Sequence, residues 1–380
     1  MLDALASQLM NDFASRTGLV AKDRPPKRYL WTDAFAVFNY LGFFLEHRDG
    51  NALVRARELV VQVHRVLGKH RPDDPRQGWL SGLGEEEGAR HPTVGGFRIG
   101  KSLPERDPGV ALDPELEWER DGQYFHYLTK WMQALRRMTE VSGDPVYHRW
   151  AAELAKTAQA RFTTPRTSDG VTGLYWKMSI DLGRPQVFSM GQHDPLDGLL
   201  TFQELQAGRD EVDLRAEIGA LAKLCTDRSW ETADPLGIGG LLCDALRLAR
   251  LLATGTGGSP DLLPELLLAS IHGLDSFLRQ RSLELSAASR LAFREFGLSI
   301  GLHAIEGLRA NLDGLSTTGT GDVAELVKIL ERYEDLAVGI ERFWRAPKNR
   351  KGATWQDHRD INEVMFATSL APAGFLGGGS

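Results

Sequence analysis

Cysteine is nearly absent: two residues, Cys225 and Cys243, in a chain of 380. Both fall in apolar, helix-like stretches. A disulfide framework is therefore not expected, and two buried free thiols in a reducing compartment are. Neither sign of charge dominates, with 45 Lys and Arg against 51 Asp and Glu and a net charge of −6. That balance lacks the basic excess that nucleic-acid binding calls for. No hydrophobic run is long enough to cross a membrane. The first residues, through Gly18, form an amphipathic pattern with acids, not a basic start followed by an apolar run, so no secretory signal is expected. These absences predict a cytoplasmic protein with a small-molecule substrate and neither nucleic acid nor membrane as partner.

Several chemical signatures are missing too. The ten histidines are scattered without His-x-x-x-His spacing. No Cys-x-x-Cys or EF-hand pattern occurs, and no metal is expected. There is no G-x-x-x-x-G-K-[S/T] loop, no G-x-S-x-G elbow and no G-x-G-x-x-G after a strand. The Asp-rich signature of terpene cyclases is not evident. No cofactor is expected.

What the chain has in quantity is helical periodicity, at 42% hydrophobic content, ample for a large core. About twelve helical segments follow one another, with almost no strand alternation. They cover roughly 2–16, 32–47, 51–69, 121–142, 145–162, 194–208, 211–226, 234–255, 261–280, 288–311, 321–346 and 359–370. Asp144-Pro145, Asp194-Pro195 and Asp234-Pro235 are start signals: Asp accepts from orphan N–H groups, and Pro at the first position gives up no bond the helix needs. Gly143, Gly208 and Gly255 are stop signals. Connections after even-numbered segments are short, and those after odd-numbered ones are long. Short connections force antiparallel neighbours, so the chain reads as stacked hairpins with elaborate loops at one end. Even-numbered segments carry glycine within apolar runs (Gly42, Gly198, Gly239, Gly240, Gly297, Gly301). Glycine costs a helix about 1 kcal/mol, so close backbone approach is the expected reason. The odd segments carry many charges and read as an outer layer.

Six hairpins, inner helices entered from long loops, and aromatic-acid motifs at inner-helix starts resemble the six-hairpin glycosidase-like superfamily. The resemblance is architectural, covers most of the chain, and does not extend to a specific family's catalytic motif. It implies an all-α fold, an (α/α)6 toroid; with no composition break, one domain is expected over residues 1–376, and the Gly-Gly-Gly-Ser of 377–380 reads as a flexible tail. It also implies carbohydrate chemistry.

Candidate site residues sit where inner helices begin, since unpaired N–H groups make such ends electropositive. Tyr29-Leu30-Trp31-Thr32-Asp33 offers Asp33 as acid or base, Trp31 as a sugar-stacking platform, and Tyr29. Its structural alternative is a cap beside a core Trp. The Glu117–Tyr124 run offers Asp121, Trp118 and Tyr124, or else a solvated charge run beside a core stripe. The Ser189–Gly198 run places Gln192, His193, Asp194 and Asp197 together. A His beside carboxylates suits proton transfer near neutral pH; as plain structure, the acids would cap and His193 would bond a loop carbonyl. Arg359 and Asp360 open the last segment, where Asp360 and Glu363 have capping-box spacing. In the long loop, Gly95, Gly96 and Gly100 would let backbone approach a ligand. Arg90, Arg98, Lys101 and Arg106 would bind an anion, or be neutralised by Glu85, Glu86, Glu87 and Glu105; His91 of the same loop is a further substrate-binding candidate.

The function expected is a glycoside hydrolase with two carboxylates, drawn from Asp33, Asp121, Asp194 and Asp197, flanking the scissile bond of a sugar or anionic sugar. An isomerase, epimerase or lyase using His193, with or without His91, is the first alternative. A non-catalytic ligand- or protein-binding toroid is the second.

Overall fold

The computed structural model describes residues 4–20, 24–164, 173–208, 212–312 and 320–377. The chain divides into two compact units, Ala14–Thr226 and Met1–Phe13 with Asp227–Ser380. Both are predominantly helical. Helix α1 (Ala4–Arg16) contributes to both.

The first unit contains α2 (Leu30–His47), α3 (Gly50–Leu67), the short α4 (Glu85–Arg90) and α5 (Pro114–Glu119), α6 (Phe125–Ser142), α7 (Pro145–Phe162), α8 (Asp194–Gly208) and α9 (Arg215–Cys225). Helix α2 is apolar nearly all round and is buried continuously from Leu30 to Phe43, as a helix without a polar face must be. Helix α3 buries one stripe, including Ala52, Ala56, Leu59, Val60, Val63 and Leu67. Hairpins α2–α3, α6–α7 and α8–α9 pack internally, and α6 also packs on α2 and α8. The Asp144 carboxylate accepts from Val146 N–H at 3.0 Å, and Gly143 ends α6 in the left-handed region, φ 74°. Both terminal signals thus act as expected.

A small sheet absent from the sequence expectation joins β1 (Gln123–Tyr124), β2 (Lys177–Met178) and β3 (Pro185–Val187), antiparallel in that order. Strands of two and three residues are too short to show alternation. Gln123 anchors this sheet to the long loop, accepting from Phe97 N–H at 2.7 Å and donating to the Gly95 and Ile180 carbonyls.

The second unit contains α10 (Pro235–Thr254), α11 (Leu262–Arg279), α12 (Ala292–Asn311), α13 (Thr320–Leu330), α14 (Asp335–Arg345), α15 (Ala353–Gln356), α16 (Arg359–Leu370) and α17 (Ala373–Leu376). Helix α10 packs on α11 and α12, and α12 on α14 and α16. The expected close approach occurs here: a Cβ on Gly239 would lie 2.0 Å from the Gly297 carbonyl oxygen, and one on Gly301 would lie 2.5 Å from Gly239 Cα. Gly240 departs from the expectation, since a Cβ there meets nothing; it lies on the exposed side of the helix. The single segment expected over 321–346 is broken by a 3-10 turn at Glu331–Tyr333. No Gly or Pro marks the break; Tyr333 there donates to Asp275 at 2.7 Å, a contact from outside the segment. Neither cysteine is in a disulfide; Cys243 is buried and Cys225 half-buried. Residues 378–380 of the expected tail lie outside the described residues.

Candidate functional site

The first unit collects aromatic rings where α2 and α6 begin. Trp31 lies 5.4 Å from Tyr127 and 6.1 Å from His126, centroid to centroid. His126 stacks on Tyr124 at 5.3 Å and lies nearly parallel to Trp176 at 6.3 Å. Tyr124 contacts Trp176 at 4.9 Å, and the half-exposed Trp118 meets Trp176 edge-on at 5.0 Å. The Tyr29 and Tyr127 hydroxyls are hydrogen-bonded at 2.8 Å. Burial pushes the Tyr29 hydroxyl up to about 12, opposed by its bond to Tyr127 and reinforced by Asp121 and Glu119. Burial also raises Tyr124 well above the ordinary tyrosine value. Both phenols are therefore protonated at neutral pH.

Helix α8 brings a carboxylate to this cluster. Asp194 Oδ1 lies 3.7 Å from His126 Nδ1. A Cβ on Gly191 would fall 2.4 Å from the Asp194 carboxylate, so a side chain there would displace it. Three buried polar atoms of the cluster have no hydrogen-bond partner: His126 Nδ1, Asp194 Oδ2 and Tyr124 Oη. Each such atom costs about 1–3 kcal/mol, and three gathered in one place mark the cluster as the candidate site. The sequence does not mark His126, Tyr127 or Trp176 as candidates. His126 lies in an ordinary amphipathic pattern, and its carboxylate partner is 68 positions away in sequence.

The other expected acids are engaged by the protein itself. Asp33 is not a cap: it sits one turn into α2, accepts from Tyr29 N–H at 2.8 Å and faces Arg28 at 3.3 Å. Asp121 does not cap α6, which starts at Phe125. It is fully buried, accepting from Arg98 at 2.7 Å, from the N–H groups of Gly100 and Gly122 at 3.0 and 3.1 Å, and more distantly from Arg71. Asp197 accepts from Lys130 and Gln133, each at 2.8 Å, and from Thr129. Gln192 is exposed and His193 half-buried; the His193 carbonyl accepts from Asp197 N–H at 3.0 Å.

The long loop departs from the expected anion clamp. Arg98 donates to Asp121 and to the Lys69 and Val66 carbonyls. Arg106 donates to Glu117 and to the Val110 and Gln186 carbonyls. Arg90 pairs with Glu86 and Glu87. The glycines serve packing: a Cβ on Gly95, Gly96 or Gly100 would strike Ser81 N, Gln123 Oε1 or the Arg28 carbonyl within 2.3 Å. His91 binds Glu153 at 2.7 Å. Glu153 lines a separate groove of about 440 Å³ along α7, with Asp144, His148, Arg149 and Lys156, that shares no residue with the ring cluster. Only Lys101 remains. Its ammonium lies 5.7 Å from the Tyr29 ring centroid, and burial lowers its pKa against the pull of Glu119 and Asp121.

No protein-family model and no curated protein matches the chain. Its function is therefore read from the cluster.

Two candidates lie in the second unit. Arg359 and Asp360 open α16, where Arg359 donates to Glu363 at 2.7 Å. In the same unit Glu295 is held by Arg290 and accepts from Trp344, while Arg294 binds Asp234. Among the described residues no His, Cys, Asp and Glu grouping is arranged to hold a metal, and no helix is long and apolar enough to cross a membrane.

Proposed function

We propose that the cluster is the active site of an enzyme acting on a sugar or sugar-like acid, with His126 and Asp194 handling protons. One observation carries this reading: the unpartnered Nδ1 of His126, Oδ2 of Asp194 and Oη of Tyr124, gathered among Trp31, Tyr127 and Trp176. Aromatic faces suit the apolar face of a pyranose, while imidazole and carboxylate supply acid and base near neutral pH. The helix starts add favourable potential for charge developing on a substrate oxygen.

The reaction class favoured is proton transfer beside a carbonyl, as in an isomerase, epimerase or lyase. His126 takes the role first considered for His193, with Asp194 orienting it and balancing the imidazolium. A glycoside hydrolase needs a second available carboxylate, and Asp33, Asp121 and Asp197 are each bound by a protein cation. The reading keeps the six-hairpin toroid as its proposed architecture, on the alternation of short and long connections between helices.

The test is incubation with aldoses, ketoses and hexuronates in D2O, followed by proton NMR. Deuterium entering the carbon beside the carbonyl, and lost in His126→Asn and Asp194→Asn, supports the reading. Conversion without incorporation sinks proton transfer, and release of a reducing sugar would restore the hydrolase. Unchanged turnover in His126→Asn removes this cluster as the active site.

A further inference from the structure

We infer that the substrate carries a carboxylate, held by the Lys101 ammonium and the Tyr124 hydroxyl. This deepens, and rests on, the reading of the ring cluster as a sugar site. Lys101 follows Gly100, and the backbone N–H groups of both residues donate to Asp121 Oδ1, at 3.4 and 3.0 Å. The root of the side chain is thus pinned by a buried carboxylate that other cations already neutralise. The ammonium is half-buried, packs over Tyr29, and makes neither ion pair nor hydrogen bond among the described residues. Tyr29 in turn joins Tyr127 and hence His126. Tyr124 Oη is a buried donor with no acceptor, on a residue only 2% exposed.

The acids around Lys101 do not fill this role. Asp121 is engaged as described, Glu117 is bound by Lys177 and Arg106, and Glu119 is exposed and outside ion-pair distance. A half-buried ammonium and a buried phenol, both donors, match a group with two acceptor oxygens and one negative charge. That is a carboxylate. A phosphate dianion would call for a further cation; Lys177, whose ammonium lies 5.5 Å from the Tyr124 ring centroid, is bonded to Glu117 and the Arg120 carbonyl, and Arg98 and Arg106 are bonded to protein acceptors as well.

Titration calorimetry on the full chain at pH 7 tests this with matched probes: glucuronate against glucose, galacturonate against galactose, and glucose 6-phosphate. The expected result is tighter binding of a hexuronate than of its neutral partner, by about tenfold to a hundredfold, the usual worth of a charged hydrogen bond. Lys101→Met abolishes that preference, Lys101→Arg keeps most of it, and Tyr124→Phe weakens it. Should Lys101→Met fail to fold, Tyr124→Phe carries the test, because its hydroxyl has no protein partner to lose. Neutral sugars that bind as well as hexuronates, or a preference surviving in both variants, overturn the carboxylate site and leave the sugar reading intact. Tighter binding of glucose 6-phosphate than of glucuronate also overturns it. If no sugar of either kind binds, both fall.

Discussion

His126 Nδ1 stands 3.7 Å from Asp194 Oδ1, across the contact between α6 and α8, and both groups keep a buried atom without a partner. Such a pair is poised to shorten when a proton or a substrate arrives, since catalytic contacts often tighten only in the complex. Asp194→Asn should therefore lower turnover by about 10²- to 10⁴-fold, the usual range for losing an acid–base group. Its thermal midpoint should stay close to that of the native protein, because no ion pair within hydrogen-bond distance is lost. A large fall in midpoint with unchanged turnover per folded molecule would assign Asp194 to structure.

Asp121 should behave in the opposite way. Its removal leaves Arg98 buried, with Arg71 beside it, and breaking a buried pair costs about 3–5 kcal/mol. Asp121→Ala should lower stability by that amount in urea unfolding. A loss below about 1 kcal/mol, typical of an exposed pair, would contradict the buried network.

Adjacent glycines in α10 give a paired test. Gly239→Ala forces a Cβ against the Gly297 carbonyl and should destabilise by about 1–3 kcal/mol or more, as overpacking does. Gly240→Ala meets open space and should be neutral or stabilising by up to about 1 kcal/mol, the helix preference for Ala. Equal effects at the two positions, measured by thermal unfolding, would mean that α10 and α12 are not in contact there.

His64 makes acid stability predictable. It is buried between Phe97 and Trp150, with Trp131 Nε1 donating to its Nε2 at 3.3 Å. Burial lowers its pKa to about 3. The unfolded chain takes up this proton near pH 6.5 and the folded chain only near 3. The contribution is therefore complete above pH 6.5 and is lost as pH falls towards 3, with a slope of up to about 1.4 kcal/mol per pH unit. His64→Gln, which keeps an acceptor for Trp131, should flatten the stability profile between pH 6 and 4, within the window those pKa values define. An unchanged profile would mean that His64 is protonated in the folded protein.

Helix positions were legible in the sequence because they depend on local chemistry. Asp144 and Asp234 cap as their sequence context implies, and the apolar completeness of α2 declares its burial. Acids and aromatics at helix starts also pointed to the region holding Trp31, Tyr124 and Asp194. Which acid stays available was not legible. Asp33, Asp121, Asp194 and Asp197 are alike in sequence, and the difference lies in what each meets: Arg28, Arg98, His126 and Lys130 respectively. Three of those four partners come from other elements of the chain. Periodicity and capping reach only a turn or two along the backbone, whereas the desolvation and pairing of a charge are set by every element packed around it. Sequence alone determined most of the long helices, because their periodicity and caps are local. Only tertiary packing decided that Arg98 and Arg106 would hold the protein together while His126 and Asp194 each kept a buried polar atom without a hydrogen-bond partner and Lys101 kept its ammonium out of any ion pair among the described residues.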